Sequence, residues 1–146
     1  MHTTVRHLLE VKGNLIWSIG PNETVYEALR MMSIKDVGAL IVMEGDKMVG
    51  ILSERDYARK VVLLGKTSRE TLVSEIMSQH VYTVHPDQTI EEAMELMTHK
   101  RIRHLPVVED NNEQHLLGMI SIGDVVRAII YKQREAIKSL EEKFMK

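Results

Sequence analysis

Val49-Gly50-Ile51-Leu52-Ser53-Glu54-Arg55-Asp56 is a short apolar run, then a hydroxyl, two spacers and a carboxylate, and it returns as Leu117-Gly118-Met119-Ile120-Ser121-Ile122-Gly123-Asp124. Gly50 and Gly118, Ser53 and Ser121, and Asp56 and Asp124 each stand 68 residues apart. The apolar run reads as a strand, and the aspartate opens an apolar helix. One strand-to-helix turn therefore occurs twice, which implies two copies of one structural unit.

Outward from the turn, the flanking sequence fills in the unit. Leu15 to Ile19 reads as a strand and Gly20-Pro21-Asn22 as a turn. Thr24 with Glu27 has the form of a capping box, and Val25, Ala28, Leu29 and Met32 follow helical spacing. Gly38 to Met43 is a buried-strand run, Glu44 to Lys47 a hairpin turn and Met48 to Leu52 the returning strand, with the helix from Asp56 running to about Leu64. The order is strand, helix, strand, strand, helix.

It comes round again with Val81 to Val84 as strand, His85-Pro86-Asp87 as turn, Thr89 and Glu92 as cap, and Ile90, Ala93, Met94 and Met97 on one helical face. Pro21/Pro86, Thr24/Thr89, Ala28/Ala93, Met32/Met97, Leu40/Leu105 and Val42/Val107 are 65 apart. The growth of the offset to 68 places a three-residue insertion at the tip of the second hairpin, Glu109 to His115.

The domain reading is a first repeat with its N-terminal segment over 1–68, a second repeat over 69–135 and a helical extension over 136–146. The N-terminal segment carries amphipathic Val5, Leu8 and Leu9 before a Gly13-Asn14 break. Gly65 to Ser68 is a linker, and Thr67 within it is placed with Glu70 to cap a short helix to about Met77. In the last helix Val126, Ile130, Gln133, Ile137, Leu140 and Phe144 alternate by four and three, a coiled-coil-like seam that either folds back on its own domain or meets another subunit.

Composition narrows the function classes. With 146 residues, 44% hydrophobic and 27% charged, the chain is an ordinary globular protein with an aliphatic, methionine-rich core. A net charge of −2 with scattered Lys and Arg argues against nucleic-acid binding. Cysteine is absent, which excludes disulfides, thiol catalysis and Cys-ligated metal. No run approaches the ~18 apolar residues of a membrane span, and residues 1–11 lack a signal-peptide core, so the cytoplasm is expected. The seven histidines, at 2, 7, 80, 85, 99, 104 and 115, show no metal-ligand spacing. Glu109 to Glu113 is acidic but lacks a calcium loop's pattern and reads as a solvated hairpin. There is no dinucleotide fingerprint, Walker loop or nucleophile elbow, and no base or metal site to activate a nucleophile, so no enzyme is expected.

The tandem of apolar-Gly-apolar-apolar-Ser-x-x-Asp turns, with Arg103-His104-Leu105-Pro106-Val107-Val108, resembles the CBS domain pair, or Bateman module, over roughly residues 5–135. Ser53 to Val61 is similar to small stand-alone members. The resemblance implies an α/β (α+β) fold of two βαββα repeats packed about a pseudo-twofold axis, here with an extended C-terminal helix. It implies a regulatory homodimer whose clefts take AMP, ADP, ATP or NAD(H), with S-adenosylmethionine a lesser candidate and no metal. Energy sensing follows from that ligand set. An unidentified client protein is the further partner, with neither nucleic acid nor membrane involved.

The residue types suit an adenosyl ligand. A carboxylate at a helix start can accept both vicinal ribose hydroxyls, and a Ser one turn earlier sits beside N–H groups that attract phosphate. Ser and Asp are also favoured caps, so the turn has a purely structural reading as well. In the swapped clefts the resemblance implies, cleft A takes Ser53, Arg55 and Asp56 with Tyr82, Ile102, Arg103, His104 and Pro106. Cleft B takes Ser121, Gly123 and Asp124 with Trp17, Val37, Gly38 and Ala39. Trp17 and Tyr82, 65 apart, either stack on a base or are ordinary strand residues. Cleft A, richer in arginine, is expected to hold the phosphorylated end of a ligand, and cleft B to bind something less charged, bind weakly or stay empty. The alternative function is an interaction module with vestigial clefts that regulates a client.

Overall fold

The computed structural model describes residues 3–145. Met1, His2 and Lys146, the outer ends of the 1–68 and 136–146 assignments, lie outside them. The chain divides into two compact units, Ile16–Val81 and Met1–Leu15 with Tyr82–Lys146.

Helix α1 is Val5–Lys12; the first unit then holds β1 Ser18–Ile19, α2 Val25–Lys35, β2 Ala39–Glu44, β3 Lys47–Ser53, α3 Glu54–Tyr57 and α4 Val73–Ile76. β1 runs parallel to β2 and β2 antiparallel to β3. α3 continues as a π-helical turn over Ala58–Val62. The Thr24 hydroxyl caps α2 by accepting from Glu27 N–H at 3.2 Å. The expected capping box is only half formed, since the Glu27 carboxylate turns toward Arg30. α4 is capped by the Glu75 carboxylate accepting from Leu72 N–H at 2.6 Å, rather than by Thr67 with Glu70.

In the second unit α5 Ile90–Lys100, β4 His104–Glu109, β5 Asn112–Ser121 and α6 Ile122–Phe144 repeat the pattern, and the Thr89/Glu92 box closes in both directions. The two cores match position for position: Val25/Ile90, Ala28/Ala93, Met32/Met97, Leu40/Leu105, Val42/Val107 and Leu52/Ile120 are all buried.

Three differences from the sequence reading have physical causes. The strand expected over 81–84 shrinks to a single parallel bridge from Val84 to Val107. In the first repeat Ile41 N–H donates to Trp17 O at 3.2 Å; Pro106 holds the matching place and has no N–H to offer Tyr82, so the ladder stops. The three extra residues of the second hairpin are not at its tip. Glu109 pairs with Asn112 just as Glu44 pairs with Lys47, and the register jumps between Val108/Leu116 and Glu109/Asn112, so the insertion is a bulge in β5.

The third difference concerns the leading segments. Val5 and Leu8 are buried among Val84, Ile90 and Leu105, while Val73 and Ile76 are buried among Val25, Leu40 and Leu52. Val5 N–H donates to Gln88 O at 2.8 Å as Val73 N–H does to Glu23 O at 2.9 Å, and Ile90 N–H to Thr3 O at 3.1 Å as Val25 N–H does to Thr71 O at 2.8 Å. Residues 3–9 are thus the structural counterpart of 71–77, and each packs in the unit built mostly from the other repeat. The boundaries between the compact units fall at 15/16 and 81/82.

The glycine of the repeated motif is explained by this arrangement. A Cβ at Gly50 would lie 2.7 Å from Met77 Sδ and 2.9 Å from Ser78 O, and one at Gly118 2.8 Å from Leu9 Cδ2. Each glycine lets the leading segment close over the outer edge of the motif strand.

Candidate functional site

Both turns are built alike. Ser53, extended at φ −121°, is the N-cap of α3; its Oγ accepts from Asp56 N–H at 3.3 Å, and Asp56 Oδ2 accepts from Ser53 N–H at 2.9 Å and Ser53 Oγ–H at 3.1 Å. Ser121 Oγ accepts from Asp124 N–H at 3.2 Å, and Asp124 Oδ2 from Ser121 N–H at 2.8 Å. The spacing is that of a reciprocal capping box, so the helix starts one residue after the serine and the aspartate closes its first turn.

Capping leaves a nearly buried charge in each unit, with 13% of the Asp56 side chain and 11% of Asp124 exposed. A lysine meets both. Lys60 Nζ sits 3.2 Å from Asp56 Oδ1 and donates to Ile76 O at 2.9 Å. Lys12 Nζ donates to Asp124 Oδ2 at 2.6 Å and to Met119 O at 2.7 Å. Arg127 adds a bond to Asp124 Oδ1 at 2.8 Å, and a Cβ at Gly123 would lie 3.3 Å from the Arg127 guanidinium. Burial pushes the Asp124 carboxyl up, but the Lys12 ammonium and the Ser121 N–H and hydroxyl outweigh it and hold it below its ordinary value.

Each turn is joined to the strand start of its own repeat. Glu54 N–H donates to Gly38 O at 3.1 Å with Ala39 opposite Ser53, and Ile122 N–H donates to Arg103 O at 2.8 Å with His104 opposite Ser121. His104 is half-buried; burial, then Lys12 and Arg103, hold it below its ordinary value against the opposing pull of Asp124. Lys12, Arg103, His104 and Arg127 therefore share one unit with Asp124. In the other, Asp56 has Lys60 beside it, and Arg55 on the same helical turn is exposed.

The remaining predicted residues fall in matched places. Val37 and Ile102 each donate back to a methionine carbonyl, Met32 and Met97, just after the left-handed residues Asp36 and Arg101. Pro106 is buried in β4. The Trp17 ring carries Lys35 Nζ at 4.2 Å from its centroid and Tyr82 carries Lys100 at 5.2 Å, so an equivalent lysine at the end of the following helix answers each aromatic. Trp17, Val37, Gly38, Ala39, Ser53, Arg55 and Asp56 belong to one unit and Tyr82, Ile102, Arg103, His104, Pro106, Ser121, Gly123 and Asp124 to the other.

Sequence reasoning missed the cations. Lys60 and Arg127 were legible as i+4 and i+3 partners on the helix. Lys12 lies 112 residues from Asp124 and gave no local signal. Among the described residues no group of three or more His, Asp or Glu could hold a metal. An open groove of about 570 Å³ beside β1 and α2 is lined by Glu23, Glu27, Arg30 and Lys35 and includes none of the turn residues.

Two helix-capping turns of one pattern, each closing a helix–strand–strand unit, define a tandem-repeat module. The CBS domain matches residues 13–63 and again 73–131, and the chain belongs to the CBS domain family as a tandem pair. It is 39% identical over 148 residues to the mitochondrial CBS domain-containing protein CBSX3 of Arabidopsis thaliana, covering 94% of this chain and 70% of that one. A solved CBS-domain protein of Burkholderia ambifaria is 46% identical with a TM-score of 0.84, over 90% of this chain and 96% of that one. Another, from Agrobacterium tumefaciens, is 37% identical with a TM-score of 0.80, over 86% and 98%. Likeness to the inosine-5'-monophosphate dehydrogenase of Methanocaldococcus jannaschii, 33% identical, spans 80% of this chain and 22% of that enzyme. No helix among the described residues is long and apolar enough to cross a membrane.

Proposed function

We propose that this chain is a non-catalytic regulatory module of the cytosol that binds an adenine nucleotide, AMP, ADP, ATP or NAD(H), at its two serine–aspartate turns and works as a homodimer. The observation that carries the reading is the twice-built set of hydroxyl, nearly buried carboxylate and lysine at a helix start. The donor set fits the ligand. A carboxylate released from its cation accepts ribose hydroxyls, and the neighbouring ammonium and guanidinium groups hold phosphate. A CBS domain pair of the same fold was solved with 5'-methylthioadenosine and S-adenosylmethionine; at 24% identity that likeness carries the fold, and the ligand class comes to this chain on its own residues. Arg103 and His104 remain the residues proposed at the phosphate.

A second reading has one observation in its favour: Asp124 is already satisfied by Lys12, Arg127 and Ser121, as a vestigial site in a client-binding module would be. A thermal-shift panel of AMP, ADP, ATP, NAD, NADH and S-adenosylmethionine separates the two. A ligand at 100 times its dissociation constant adds about 2.7 kcal/mol, a shift of several degrees. Asp56→Ala should abolish the shift and Arg103→Ala should weaken that of AMP. No shift with any ligand would overturn the sensor reading in favour of the client.

A further inference from the structure

Val125 is buried and Lys132 still reaches Glu91 at 2.7 Å, but from 133 to 145 every residue of α6 and its end is exposed. An unsupported helix of fewer than ~12–15 residues is marginal in water. This one nevertheless aligns Ile137, Leu140 and Phe144, exposed by 56, 54 and 87%, in one stripe with Gln133. We propose that the segment pairs antiparallel with the same segment of a second copy of the chain.

Charge selects the occupant and the direction. With Ile137 and Phe144 at heptad position a and Gln133 and Leu140 at d, the e positions are Arg134 and Glu141 and the g positions Ala136 and Lys143. Across an antiparallel seam e faces e. Arg134 of each copy then meets Glu141 of the other, twice by symmetry, while Ile137 layers on Leu140 and Gln133 on Phe144. In a parallel pair g faces e, and Ala136 would meet Glu141 with no charge to match it. Sliding the antiparallel pair one heptad toward the folded unit sets Arg134 against Arg134. The matched register is also centred on the part of α6 that has no packing of its own. The pairing goes beyond the ligand reading and stands without it.

The chain has no cysteine, so introduced ones report neighbours cleanly. Arg134→Cys and Glu141→Cys proteins, mixed and treated with a short bismaleimide, should give a mixed cross-linked dimer, while neither should cross-link alone. By sedimentation equilibrium Glu141→Arg should weaken the dimer about tenfold, and Arg134→Glu with Glu141→Arg should restore most of it. These side chains are exposed, so the variants keep the fold, as circular dichroism would confirm. Self-cross-linking of Leu140→Cys without the mixed product would overturn the antiparallel pairing. A monomer at all concentrations, or a dimer indifferent to Glu141→Arg and Ile137→Asp, would overturn the proposal whole.

Discussion

Lys12→Met keeps the aliphatic stem and removes the ammonium that donates to Asp124 at 2.6 Å and to Met119 O at 2.7 Å. A charge-assisted bond contributes ~1.5–3 kcal/mol where it is shielded. The Lys12 side chain is 36% exposed, and Asp124 keeps Ser121 and Arg127, so screening leaves a net loss of about 1 kcal/mol. At ~2.1 cal/mol/K per residue the unfolding entropy of the chain is near 0.3 kcal/mol/K, and the melting midpoint falls by about 3 °C at neutral pH. Acid changes the gap through two groups. Asp124 is held below its ordinary 3.8, so it contributes stability that is complete above that value and lost as the pH falls through the folded value. The variant gives up part of this. His104 is held below its ordinary 6.5, chiefly by burial and then by Lys12, so the native state loses ground as the pH falls below 6.5. Removing Lys12 eases that loss. The gap between wild type and variant is therefore widest above pH 6.5, narrows below it and narrows again below 3.8. Thermal melts followed by circular dichroism across this range read it directly. An unchanged midpoint at neutral pH, or a gap that widens with acid, would refute the reasoning.

Gly50→Ala and Gly118→Ala should differ although the residues are equivalent. The first sets a methyl against the backbone oxygen of Ser78 and should cost about 1–3 kcal/mol in urea denaturation; the second meets the movable end of Leu9 and should cost less than about 1 kcal/mol. Equal costs would mean that the leading segments do not cover the strands as described. A fragment spanning 16–81 should resist urea better than one spanning 1–68, because the latter lacks Val73 and Ile76 of its core and keeps an α1 whose partners are gone. Equal or reversed resistance would contradict the exchange of leading segments.

The repeat, its caps and its core faces were legible because each is a local pattern: Thr24 and Thr89 at helix starts, Ala28/Ala93 and Met32/Met97 on one helical face. Where the readings diverge, the deciding fact lies across the sequence. The loss of the strand at 82 follows from a proline 24 residues on, at 106. The bulge in β5 needed the register of both strands, which length alone does not give. The correspondence of Val5, Leu8 and Leu9 with Val73, Ile76 and Met77 at the 68-residue offset was present as a signal, but a helix that packs in the unit of the other repeat looks from the sequence like an N-terminal appendage.

That exchange bears on how the two turns differ. A carboxylate this shielded needs a cation, and each unit supplies one, but from different places. At Asp56 it is Lys60, four residues on along the same helix, where Ala128 stands in the second repeat. At Asp124 it is Lys12, from the end of the covering helix, where His80 stands at the matching position of the first. Both ammonium groups also bind a backbone carbonyl, so the role has been kept while the residue has moved. The two are not equally releasable. Lys60 is an i,i+4 neighbour on the same helix, so a change of its side-chain rotamer alone takes it off Asp56. Lys12 is held by the docking of α1, and a phosphate drawing it away from Asp124 would pull on the packing of Val5 and Leu8. A phosphate taken up at the second turn would thus be coupled to the position of the N-terminal helix, whereas at the first turn it would be coupled only to a rotamer.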